Sequence, residues 1–240
     1  MSKFVYHGHE LELFAEVTRW KAYWLSRIRN YLGEDVLEVG AGIGTNTMLM
    51  CNERCRRWIC TEPDAQLAKR IVLALKDSKC RQYCTVITGT LKDIPPNEFF
   101  DTILFIDVLE HIQDDRGELL RASRHLRPRG TLIVLSPAHA CLFSKLDQAV
   151  GHYRRYTKKT LTEIAPRHLK LLRMEYLDLV GVLASLSNRF LLRRHKPTKG
   201  QIRFWDSVMV PCSRILDPLL RHRFGKSILA VWRNDATVGS

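Results

Sequence analysis

The feature that most constrains this chain is the run Val36-Leu37-Glu38-Val39-Gly40-Ala41-Gly42-Ile43-Gly44-Thr45, an apolar segment followed by glycine at every second position. DVLEV (35–39) reads as a buried strand. Repeated glycine directly after it implies a sharp turn and a guest that comes close to bare backbone. The spacing G-A-G-I-G differs from the G-x-G-x-x-G of dinucleotide loops. A helix N-terminus behind such a loop suits an anion, but Glu38 at the strand end would repel a pyrophosphate. A carboxylate there suits a guest that carries a cation and lies along the glycines.

The rest of the chain alternates strand and helix. Apolar positions Leu11, Phe14, Val17, Trp24, Leu25, Ile28 and Leu32 recur at three- and four-residue steps, which predicts one amphipathic helix over 10–32, stopped at Gly33. Strands are expected at 35–39, 57–62, 83–89, 99–107 and 131–136, with helices at 64–76 and 116–126 and a turn at 127–130. An irregular stretch, 137–157, precedes a helix from Lys158 to Ala165, then strands at 168–177 and 227–233. The fold class is α/β: a Rossmann-like, seven-stranded, mostly parallel sheet with helices on both faces. About fifty residues separate the last two strands, where a hairpin needs only about 2–5, so a helical insertion is expected there.

Seven cysteines, irregularly spaced and with no CxxC pair, read as reduced, mostly buried thiols of a cytoplasmic protein rather than a zinc site. No N-terminal signal peptide and no membrane span is expected. The net charge of +13 favours an anionic partner: nucleic acid, an acidic lipid surface or a phosphorylated substrate.

Several motifs stand in order on these elements: VLEVGAGIGT (36–45), TEPD (61–64), TGTLKDIP (88–95), DVLEHI (107–112) and RPRGTLIV (127–134). Together they resemble the class I S-adenosylmethionine-dependent methyltransferases. The resemblance implies S-adenosylmethionine as cofactor. Glu38 would pair with its ammonium, and Gly40, Ala41, Gly42 and Gly44 would line its body. Glu62, followed by Pro63, would hold the ribose hydroxyls. Thr90 and Leu91 would border the adenine, with Thr90 where the family often has Asp. Asp107 would lie beside the cofactor at the end of strand four. These roles divide 1–240, read as one domain, into an N-terminal capping helix (1–33), a cofactor-binding core (34–177), a helical lid (178–225) and a last strand with tail (226–240).

Methyl transfer to an alcohol or phenol also requires removal of a proton. Glu110, His111 and His152 are the candidate catalytic residues, with His111 or His152 as general base; His139 and Asp147 share the second loop. The arrangement D-x-x-E-H with a distant His is similar to the metal site of small-RNA 2′-O-methyltransferases and to the E-x-x-E-H of quinone-biosynthesis O-methyltransferases. That likeness implies Asp107, Glu110, His111 and His152 as ligands of a divalent ion. Asp107 stands where those families have the longer Glu, and DVLEHI also occurs in relatives without a metal, so the reading adopted is a metal-free base. GHYRRYT (151–157) also resembles a group of bacterial methyltransferase-like proteins, with HGHELELF (7–14), Trp20-Lys21 and GKSILAVWR (225–233). In it Tyr153, Arg154, Arg155 and Tyr156 are candidate substrate contacts, the arginines forking onto a phosphate or carboxylate.

The insertion holds two apolar stretches, 177–192 and 204–220, around a basic segment, 193–203. They are expected to form a lid over an apolar acceptor pocket or an element resting peripherally on an anionic membrane. Trp20, Tyr23 and Trp24 are expected to close the other side of the cleft. The leading reading is O-methylation of a small or lipid-linked amphipathic acceptor, anionic or neutral. The alternatives are a metal-dependent RNA 2′-O-methyltransferase, for which no RNA-binding module is evident, and a non-catalytic cofactor-binding scaffold at a membrane.

Overall fold

The computed structural model describes residues 10–187 and 198–236. Seven strands form one sheet in the order β3-β2-β1-β4-β5-β7-β6. They are β1 (Asp35–Val39), β2 (Arg57–Glu62), β3 (Cys84–Thr88), β4 (Phe100–Ile106), β5 (Leu126–Pro137), β6 (Leu169–Leu177) and β7 (Ser227–Asn234). Pairs from β3 through β5 are parallel, and β7 runs antiparallel to both β5 and β6. The period of two in a strand sorts side chains to the two faces. Val36, Trp58, Leu104, Ile133 and Leu229 join one core cluster, and their neighbours Leu37, Ile59, Ile103, Leu132 and Ile228 join the other. Both faces are covered, which is why β1 and β4 read as nearly continuous apolar runs.

The expected single helix at 10–32 is two, α1 (Glu10–Ala15) and α2 (Arg19–Ile28), followed by a 3-10 turn, Arg29–Tyr31. The break has a cause far away in the chain. The backbone amides of Thr18, Arg19 and Trp20 donate to the carboxylate of Asp206 at 3.1, 3.1 and 2.8 Å. Those amides have no partner inside the helix, so a carboxylate there both caps and starts it. Trp20, Tyr23, Trp24 and Ile28 then bury one face of α2. Trp20, Tyr23 and Trp24 were expected to close the cleft; they pack into the core instead, with the Tyr23 hydroxyl 2.8 Å from Asp217.

The remaining helices of the core are α3 (Thr45–Met50), α4 (Ala65–Leu75), α5 (Asp115–Arg124), α6 (Lys145–Ala149) and α7 (Lys158–Ile164). RPRG, expected as a turn before strand five, is an irregularity within β5: the register with β4 shifts between Phe100 and Thr102. Between β6 and β7 come α8 (Leu179–Ser187), α9 (Lys199–Phe204), a π turn (Trp205–Met209) and α10 (Val210–Leu219). The motif residues before 10 and the basic segment at 193–197 lie outside the described residues.

Candidate active site

The carboxyl ends of β1, β2, β4 and β5 share one edge of the sheet, and the motifs converge there. Gly40, Gly42 and Gly44 all have positive φ, 68°, 59° and 80°. At Gly40 a Cβ would also lie 2.8 Å from the Val108 side chain, so the loop after β1 and the loop after β4 touch only because no side chain intervenes. Ala41 is buried, its amide bonded to Thr61 O at 3.0 Å.

Glu38 is 2% exposed. Its Oε2 accepts from Thr47 Oγ1 at 2.7 Å, Trp58 Nε1 at 2.9 Å and Cys60 Sγ at 3.8 Å, tying β1 to α3 and β2. Burial pushes its carboxyl up to about 7, against the downward pull of those donors. Glu62 is also buried; its Oε2 accepts the Gly42 amide at 2.8 Å and its Oε1 the Asp64 amide at 3.0 Å. Burial raises it and the two amides hold it back. Pro63 is half-buried between Glu62 and Asp64, which caps α4. Leu91 is fully buried, and Thr90 caps the 3-10 turn Leu91–Asp93, its own amide donating to Asp93 at 2.7 Å.

The second half of the site is built by the turn after β4 and the loop after β5. Asp107 sits in the left-handed region, φ 54°, with its amide on Leu135 O. It is open to solvent yet walled by protein; that environment raises its carboxyl, while His152 and Lys226 draw it down. Glu110 is fully buried. Its Oε2 accepts from Ser136 Oγ at 3.0 Å, and its Oε1 has no hydrogen-bond partner. Burial, reinforced by the charge of Asp107, raises it well above the usual carboxylate range. His152 Nε2 stands 3.9 Å from that Oε1, and His152 Nδ1 is 2.9 Å from Asp147 Oδ1. The His111 ring meets the His152 ring edge-on, centroids 4.6 Å apart. Burial, then the neighbouring His152, lowers His111 to about 4. Glu110, His111 and His152 each offer a ligand atom, all within 4.8 Å of one another. Asp107 is not part of that group.

The RRY segment behaves differently from its expected role. Of the four residues read as substrate contacts, Tyr153 is open, 54% exposed. Tyr156 is 1% exposed, its hydroxyl bonded to Asp115 at 2.8 Å and Leu109 O at 3.2 Å. Arg155 forks onto Asp147, at 2.8 and 3.0 Å, and Arg154 pairs with Asp115 and Gln113 O. The arginines meet carboxylates of the same chain, which holds the loop against the turn after β4. His139 takes φ 62° and lays its ring 4.5 Å from that of Tyr176.

Asp147 was a minor candidate in the sequence and is the partner of both His152 and Arg155. Against the upward push of burial, bonds from His152, Arg155 and Ser144 hold it far below the usual carboxylate range. Lys226 carried no individual signal. Its Nζ lies 4.4 Å from the Trp205 ring, and burial lowers its pKa against the pull of Asp178 and Asp107. Gly225 before it is required by close approach: a Cβ there would lie 2.3 Å from Leu177 O.

A parallel sheet with one antiparallel strand next to its edge, a glycine loop after the first strand and an acid ending the second define the class I S-adenosylmethionine-dependent methyltransferase fold. A family model described as a methyltransferase domain matches residues 10–181, and the chain belongs to that family. Its cofactor is S-adenosylmethionine. Demethylmenaquinone methyltransferase of Tropheryma whipplei (strain Twist) is 27% identical over 154 residues, 63% of this chain and 60% of that protein. tRNA U34 carboxymethyltransferase of Shewanella frigidimarina is 23% identical over 136 residues, 55% of this chain and 40% of that protein. The chain thus spans 60% or less of the length of these relatives. Among solved structures, geranyl diphosphate methyltransferase in complex with S-adenosylmethionine is similar with TM-score 0.65 and 13% identity, over 95% of this chain and 91% of that one. The N-methyltransferase NodS from Bradyrhizobium japonicum WM9, in complex with S-adenosylhomocysteine, is similar with TM-score 0.57 and 14% identity, over 91% and 86%.

The residues fit the cofactor. A Cβ at Gly42 would meet nothing nearer than Leu11 at 3.5 Å, so the loop leaves a cradle that a side chain would fill. Each Glu62 oxygen holds one amide and retains a lone pair for a ribose hydroxyl.

Proposed function

We propose that this protein O-methylates a small or lipid-linked amphipathic acceptor, with His152 as general base. When bound, S-adenosylmethionine supplies an activated methyl group on a sulfonium centre. Glu62 holds its ribose, and Glu38, whose donors all converge on Oε2, offers Oε1 to its ammonium.

The observation that carries the reading is the chain Asp147–His152–Glu110. An ionised Asp147 accepts the Nδ1 proton of His152, which leaves Nε2 as the proton acceptor. The 3.9 Å between Nε2 and Glu110 Oε1 is too long for a direct hydrogen bond. An acceptor hydroxyl seated about 2.8 Å from each would bridge them. Glu110, kept protonated by burial, donates to that oxygen, and Nε2 takes its proton as the oxygen meets the methyl group. Asp147 then stabilises the imidazolium. His111, neutral above about pH 4, packs the His152 ring in place. The Lys226 ammonium suits an acidic group on the acceptor. A relative named for demethylmenaquinone and a structural neighbour named for geranyl diphosphate support a small-molecule acceptor.

A second reading has its own observation. The Glu110–His111–His152 group has the donor set and spacing for a divalent ion that would polarise the acceptor oxygen. With the net charge of +13 and a relative named for tRNA, it favours an RNA 2′-hydroxyl. Release of S-adenosylhomocysteine from panels of phenols, hydroxy acids, polyprenyl-linked alcohols and RNA oligonucleotides separates the two. Turnover confined to RNA would replace the small-molecule reading, and no turnover with any class would leave the scaffold.

A further inference from the structure

The segment from α9 through the π turn to α10 is one continuous helix, Lys199 to Leu219, and it is apolar on two sides. Its inner side buries Ile202, Trp205, Val210, Ser213 and Asp217 against the core. Its outer side exposes Phe204, Val208, Cys212, Ile215 and Leu219 at steps of four, four, three and four residues. Ile215 and Leu219 are 67% and 72% exposed, and Phe224 just beyond the helix is 58% exposed. An ordinary surface helix turns a polar side to water. A row of large apolar side chains left bare marks a surface that meets something else.

The charges say what. The insertion, 178–225, contains nine Lys and Arg and three acids, Asp178, Asp206 and Asp217. All three acids are buried and spent on internal bonds. Asp178 accepts from Trp205 and Ser213, Asp206 from the start of α2, and Asp217 from Tyr23 and the amides of Asp178 and Leu179. Lys199, Arg203, Arg214, Arg221 and Arg223 are exposed, with Arg203 in a 3.5 Å pair with Glu16. The outer face therefore presents apolar side chains and positive charge, and no acid of the insertion.

We infer that this face docks on an anionic phospholipid surface. A second copy is a poor occupant, because the face would set like charges opposite one another in a chain of net charge +13. Among the described residues no helix is long and apolar enough to cross a membrane. The docking is peripheral: the ridge Phe204–Val208–Ile215–Leu219 enters the headgroup boundary and the flanking arginines meet lipid phosphates. This inference is independent of which acceptor the enzyme uses.

Co-sedimentation of the full chain with phosphatidylglycerol–phosphatidylcholine vesicles, against pure phosphatidylcholine, tests it. The wild type is expected to partition at least tenfold more strongly to the anionic vesicles at low salt and to lose most of that advantage at high salt. Ile215→Ser with Leu219→Ser, at exposed positions, is expected to weaken partition at least tenfold with circular dichroism and cofactor affinity unchanged. Arg214→Glu with Arg223→Glu is expected to abolish the preference for anionic lipid. Equal sedimentation with both vesicle types, or no loss in the serine variant, overturns the inference. So does a wild-type dimer, by light scattering, that the serine variant reduces to monomer without any vesicle binding. Capture of an acidic protein with no vesicle binding overturns it too.

Discussion

Asp147 Oδ1 lies 2.9 Å from His152 Nδ1, and the same carboxylate is forked by Arg155. The bond decides which nitrogen of the imidazole can take a proton. His152→Ala is expected to lower turnover by about 10²–10⁴-fold with cofactor affinity unchanged. Asp147→Asn can accept but no longer stabilise the imidazolium, so it is expected to reduce kcat at least tenfold and alter the pH profile while substrate KM holds. Arg155→Lys, which preserves the charge near Asp147, separates loop damage from loss of the base. Full kcat in the His152 variant would remove it from the reaction.

Glu62 holds the glycine loop and the start of α4 at once through Gly42 and Asp64. Glu62→Ala is expected to abolish measurable S-adenosylhomocysteine binding in calorimetry, and Glu62→Gln, which keeps one acceptor oxygen, to weaken it. Tight binding by the folded alanine variant would refute the ribose assignment.

Glu38 is expected to couple cofactor binding to pH. Its folded value is about 7, above the ordinary carboxylate value, so the folded state keeps a proton that the unfolded chain has lost. Stability from this group is complete below about pH 4.3, falls as pH rises through about 7 and is flat above that. The loss is about 3–4 kcal/mol for one group shifted by this much. Glu38→Gln, which keeps an acceptor for Thr47 and Trp58, is expected to flatten the melting temperature between pH 5 and 7. An ammonium placed at Oε1 would ionise the acid, so wild-type cofactor binding near pH 6 is expected to release a proton that the glutamine variant does not. Calorimetry in two buffers of different ionisation enthalpy reads this directly, and equal proton release in both proteins would detach Glu38 from the cofactor.

Chelation tests the Glu110–His111–His152 group. EDTA is expected to leave turnover within about twofold of control if His152 acts as the base. Complete loss, restored by magnesium or manganese, would assign the three residues to an ion and retire the base.

The sequence made the sheet legible because its signals are local. Short apolar runs in strand–helix alternation, with glycine punctuation, located the seven strands, and motif order brought Glu38, Glu62, Glu110, His111 and His152 to one edge. Long-range pairing carries no such signal. Arg155 reads as a ligand for a substrate phosphate or carboxylate until Asp147 is found at its fork, and Tyr156 reads as a substrate contact until Asp115 and Leu109 O take its hydroxyl. The break after Ala15 falls within an unbroken amphipathic pattern because its cause, Asp206, is 188 positions from Thr18. Lys226 enters the site only because β7 returns antiparallel beside β5.

Asp206 supplies the last prediction. Its side chain accepts three backbone amides at the start of α2, at 3.1, 3.1 and 2.8 Å, and it is buried among them. Removing the carboxylate leaves the buried Trp20 amide without its partner and turns the amides of the exposed residues Thr18 and Arg19 over to water. Asp206→Ala is expected to cost about 2–4 kcal/mol, more than an exposed helix cap. Asp206→Asn retains an acceptor and is expected to lose less than half of that. Denaturant melts of the two variants check the order. Because α2 and the helix over 199–219 share this one carboxylate, the alanine variant is also expected to expose Trp20 and Trp205 to quenchers before the sheet unfolds; quenching that waits for global unfolding would show that the apolar contacts of α2 with α10 suffice without the cap.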